Sequence, residues 1–161
     1  MPYAPSQVSF NAAFLSEIKE DNQRLQELLS ETEIMFRRIP RHRYSVEQKR
    51  ASVQRLLKLR DQLALHFALE NAFGYLVDVI DIAPRLCNRA KAMIAEHDDL
   101  FLELCELIDD AEAALYDEGN AASVVNVARD YFRFLQKFYD HEAAENALLL
   151  DAFDSDLGVG D

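Results

Sequence analysis

Apolar side chains recur at intervals of three and four through almost all of the 161 residues, with breaks only around Pro40, Pro84 and Gly119. That spacing lines one face of a 3.6-residue helix, and no period-two alternation competes with it. The first run extends from about Val8 to Ile39, with Phe10, Phe14, Ile18, Leu25, Leu28 and Leu29 along one stripe. Pro40 ends it and Arg41 to Tyr44 make the turn. Ser45, with Gln48 three residues on, forms a capping box that opens a second helix fading near Ile80. Pro84 suits the first turn of a third helix reaching about Tyr116. Gly119 ends that helix, and Asn120 caps a fourth from about Ala121 to Phe153. The expectation is an all-α, up-down-up-down four-helix bundle. It is read as a single domain over 1–161, ordered from about 8 to 153, with residues 154–161 a frayed acidic tail.

Charge narrows the range of partners. Seventeen Lys and Arg against 29 Asp and Glu give a formal charge of −12. Such a surface repels phosphate backbones, so nucleic acid is not expected as a partner. No run approaches the ~18 apolar residues of a membrane span, so no membrane is expected either. The first residues read as no signal peptide, which makes the cytoplasm the expected compartment. Cys87 and Cys105 fall on one helix, ~27 Å apart by helical rise and too far to bridge, so core or inert thiols are expected. Residues 37–60 carry nine of the 17 basic side chains and one acid, Glu47. This positive end is a solvated face or a surface that steers an unspecified acidic protein partner.

The histidines carry the chemistry. His66, His97 and His141 fall one each on the second, third and fourth helices. Antiparallel neighbours share a height where the midpoint of two residues lies at their turn. The midpoint of His66 and His97 lies between Asp81 and Ile82, and that of His97 and His141 at Gly119. The same reflection onto the first helix points to Asn22, with Asp21 beside it. Glu70 and Glu145 each follow a histidine by four residues, which places both carboxylates one turn beyond the imidazoles, level with Met93. Leu63, Phe101 and Phe138 form an apolar wall on the other side. Neutral imidazoles and bridging carboxylates in a bundle core suit a pair of iron or manganese ions. His141-Glu142-Ala143-Ala144-Glu145 starts like a zinc-protease helix but lacks the second histidine. Tyr75, Tyr131 and Tyr139 are read as core or boundary residues.

His66-x3-Glu70, the Glu96-His97 pair and His141-x3-Glu145, in this order, resemble the hemerythrin-like (HHE cation-binding) family over nearly the whole chain. The resemblance implies a four-helix bundle holding an oxo- or hydroxo-bridged non-haem di-iron centre. It implies that Glu70 and Glu145 bridge the irons, His97 and His141 serve one, and His66 the other. The family's helix-one histidine is missing here. Asp21 could replace it through a carboxylate and Asn22 through a carbonyl. His42 is a further candidate, at the distance of an additional histidine in the iron-centre-repair branch; the alternative for it is a solvated turn residue. An altered site, a mononuclear site and another divalent metal all stay open. The implied function is binding of dioxygen or a related small oxidant or diatomic ligand, for sensing, storage or iron handling rather than turnover. The alternative is a metal-poor helical interaction protein with a degenerate site.

Overall fold

Helix boundaries follow local chemistry. The Ser45 backbone N–H donates to Gln48 Oε1 at 3.0 Å, and the Gln48 N–H donates back to Ser45 Oγ at 3.2 Å. This reciprocal box satisfies two otherwise orphaned donors where the second helix begins. The computed structural model describes residues 12–38, 44–73, 75–117 and 121–157, which are helical almost throughout, with no strand among them. The elements are α1 (Ala12–Arg37), α2 (Val46–Phe73), α3 (Tyr75–Ile82), a short 3-10 turn (Pro84–Leu86), α4 (Cys87–Tyr116) and α5 (Ala121–Leu157). The expected start near Val8, the Pro40 turn, His42 and the Gly119–Asn120 cap lie outside the described residues.

Two boundaries differ from the sequence expectation. The second helix, expected to continue to about Ile80, is described as α2 to Phe73 and α3 from Tyr75 to Ile82, with position 74 outside the described residues. Pro84 opens a 3-10 turn rather than the α-helix itself, and α4 follows at Cys87. The C-terminal helix continues to Leu157, so part of the expected acidic tail is helical.

Contacts between helices set their directions. Glu31 of α1 pairs with Arg55 of α2, and Asp21 with His66, so these helices are antiparallel. Lys49 near the start of α2 meets Ala114 near the end of α4. On α4 and α5 the pairs are Arg85 (in the turn before α4) with Asp151, Glu96 with His141, and Glu103 with Lys137. Each long helix therefore runs against the next.

The larger apolar cluster draws on all four long helices: Leu25 and Leu29, Leu56, Leu59 and Leu63, Leu104, and Phe134 and Phe138, all essentially inaccessible. Burying one such side chain is worth about 1.5–3 kcal/mol. A smaller cluster joins Leu76 and Val79 of α3 to Leu86, Ala90, Leu148 and Ala152. Along α2, α4 and α5 the histidines and glutamates fall between these two clusters, so α3 closes the far side of the polar layer. Tyr131 sits in the larger cluster and donates its hydroxyl to the Leu29 carbonyl at 2.8 Å, as expected of a core tyrosine. Cys87 and Cys105 are half-buried free thiols.

Lys49 is the one buried member of the basic segment among the described residues. Its ammonium donates to the Ala114 carbonyl at 2.8 Å and the Asp117 carbonyl at 3.0 Å. These carbonyls end α4, where a cation also opposes the helix dipole. Arg37, Arg55 and Arg60 pair with Glu33, Glu31 and Asp61. No described helix is long and apolar enough to cross a membrane.

Candidate metal centre

His66, His97 and His141 are all buried, with at most 3% of each residue exposed. Each ring has its Nδ1 occupied. His66 Nδ1 is 2.8 Å from Asp21 Oδ2, His97 Nδ1 is 3.0 Å from Asn71 Oδ1, and His141 Nδ1 is 2.9 Å from Glu96 Oε2. Carboxylate and amide oxygens only accept, so Nδ1 carries the proton in each ring. The lone pair of a neutral ring then resides on Nε2, the arrangement that outer hydrogen bonds impose on metal-binding histidines.

The three Nε2 atoms are buried and lack hydrogen-bond partners, as do Glu70 Oε2 and Glu142 Oε1. They lie close to one another without the alignment of hydrogen bonds. Glu70 spans two rings, with Oε1 3.1 Å from His66 Nε2 and Oε2 3.5 Å from His97 Nε2. Glu142 Oε1 is 3.6 Å from His66 Nε2, and Glu145 Oε2 is 3.9 Å from His141 Nε2. Two ligand groups emerge, His97–His141–Glu145 and His66–Glu70–Glu142, each with its donor atoms within 4.8 Å of one another. A buried polar atom without a partner costs about 1–3 kcal/mol. Five of them gathered around imidazole and carboxylate donors fit divalent metal ions.

The electrostatics agree with a site built for cations. Burial opposes charge on His66, but Glu142, Glu70 and Asp21 outweigh it and raise the ring to about 11. In the metal-free protein a proton therefore takes the cation's place there. Burial, then the neighbouring His141 and His66, lowers His97 to about 4, so this ring is neutral and ready to ligate. Burial, followed by the negative Glu70 and Glu142, raises Glu145 to about 8.

Not every expected residue joins the layer. Asp21 is buried, but its oxygens face His66 Nδ1 and Gln62 Nε2, the latter donating at 2.6 Å. It holds the back of a ring instead of supplying a donor beside Nε2. Asn22 is exposed on the outer face of α1 and is not brought to the site. Leu63 and Phe138 are fully buried, and the Phe138 ring lies 6.3 Å from that of His66. Phe101 is only partly buried at the edge of the same cluster.

Four participants escaped the sequence reading. Phe67 stacks on His97 with ring centroids 4.2 Å apart and planes 6° from parallel. Asn71 and Gln62 hold ring and carboxylate from behind, and Glu142 faces His66. For Glu142 a signal existed: it precedes Glu145 by three residues, so the two share a helix face. A surface groove of about 410 Å³ between α4 and α5, lined by Met93, Glu96, Leu100 and Asp140, reaches His141. Comparison of the chain with protein-family models, curated proteins and solved structures found no match.

Proposed function

We propose that the chain is an up-down-up-down four-helix bundle of hemerythrin-like type that holds a non-haem di-iron centre. Its ligand is dioxygen or a related small oxidant or diatomic molecule, and its role is binding, sensing or iron handling. The observation that carries this reading is the set of three buried histidines, each pinned through Nδ1, whose unpartnered Nε2 atoms converge with Glu70 and Glu145.

His97, His141 and Glu145 would hold one ion; His66 and Glu70 the other, with Glu70 reaching both groups. An iron pair held there would supply electrons and bind a small ligand. The protein's own residues do the rest. Asp21, Asn71 and Glu96 fix the ring orientations, which keeps the donors in place without reorganisation. Leu63, Phe67 and Phe138 keep water from one side, and the α3 cluster from the other. A wall of this kind admits a diatomic molecule more readily than a larger substrate. The groove beside Glu96 brings solvent up to the His141 pair, where a proton could be exchanged.

In a metal-poor interaction protein the proton on His66 would offset Glu70 and Glu142, but the buried Nε2 atoms of His97 and His141 would keep no partner, so the metal reading is preferred. The test is optical. Protein loaded anaerobically with ferrous iron and then exposed to oxygen should develop near-ultraviolet charge-transfer bands that His97→Ala lacks. Identical spectra from the two proteins would refute the proposal.

A further inference from the structure

Resting on that reading, we propose that Glu142 is a metal ligand, which makes the two metal positions unequal: iron at His97–His141–Glu145, manganese accepted at His66–Glu70–Glu142.

Helix α1 supplies no donor beside His66 Nε2 among its described residues. Asp21 spends its oxygens on His66 Nδ1 and Gln62, and Asn22 faces outward. His66 is therefore the single nitrogen donor of its group among the described residues. Glu142 stands in the remaining space. Its side chain is 26% exposed, yet Oε1 is buried, unpartnered and 3.6 Å from His66 Nε2. A lone carboxylate on a surface helix turns to water. This one turns its oxygen inward, toward another carboxylate, Glu70, and an imidazole. Positive charge between them, from a metal ion or from a proton on the ring, makes that grouping favourable.

The donor sets then differ in kind. One group has two imidazoles and one carboxylate, the other one imidazole and two carboxylates. Imidazole favours iron over manganese, whereas carboxylate oxygen suits manganese well. Two negative carboxylates with a neutral ring also balance a divalent charge. When both ions are offered, discrimination against manganese is weakest at the His66 position, while iron alone still fills both.

The experiment is anaerobic loading with equimolar ferrous and manganous ions, desalting, and metal analysis per chain. The wild type should retain about one iron and one manganese. Glu142→Ala and the isosteric Glu142→Gln should lose manganese about tenfold while keeping iron, with helicity by circular dichroism unchanged. Glu142→His, which restores a nitrogen donor, should exchange manganese for a second iron. Wild-type manganese in both Glu142→Ala and Glu142→Gln would overturn this inference alone, as would a wild type that takes two irons and excludes manganese. A wild type that holds neither ion would overturn the metal-centre reading as well.

Discussion

Asp21 of α1 accepts from His66 Nδ1 of α2 at 2.8 Å, with both side chains 3% exposed. Helix one thus contributes to the candidate centre from behind a ligand. The carboxylate fixes the ring's tautomer and angle, and makes Nε2 a better donor. Asp21→Asn should therefore weaken metal binding at the His66 position by about 10–100-fold and leave the His97 position loaded. Chelator competition measures the two affinities. Equal loss at both positions would mean that Asp21 acts on the fold instead.

The height arithmetic explains both what could be read in advance and what could not. Reflection about a turn fixes a residue's level, and it placed His66, His97 and His141 together because their spacings are long and the turns short. It cannot fix angle. Asn22 and Asp21 differ by one residue in height but by ~100° around the helix, so one faces solvent and the other the layer. The same limit concealed Phe67, Asn71 and Glu142, whose roles depend on rotamer and azimuth.

The pH dependence of the metal-free protein should invert on loading. Glu145 is raised from 4.5 to about 8 and His66 from 6.5 to about 11 in the folded state. Both bind protons more tightly folded than unfolded, so their stabilisation is complete at low pH and is lost as pH rises. His97, lowered to about 4, acts oppositely and costs stability only as acid protonates the unfolded chain below 6.5. The metal-free melting temperature should accordingly fall from pH 6.5 to pH 9. Metal binding must expel the His66 and Glu145 protons, so affinity should rise over that range, with proton release visible in weakly buffered titrations. A flat metal affinity would contradict these assignments.

Lys49 separates the fold from the site. Its two hydrogen bonds to the Ala114 and Asp117 carbonyls lie at the opposite end of α2 from His66. Lys49→Met keeps the stem's packing but removes the cap. It should lower the unfolding free energy by about 1–3 kcal/mol in urea titrations and leave metal stoichiometry unchanged. A loss of metal in this variant would show that the centre depends on the whole bundle rather than on its own layer.

Iron content per chain after anaerobic ferrous loading and desalting, in wild type and His97→Ala side by side, tests the central claim most directly. About two irons are expected in the wild type and about one or fewer in the variant, because His97 Nε2 is a donor in one group and Glu70 beside it reaches both. A wild type that retains no iron, or a His97→Ala protein with wild-type occupancy, would contradict it.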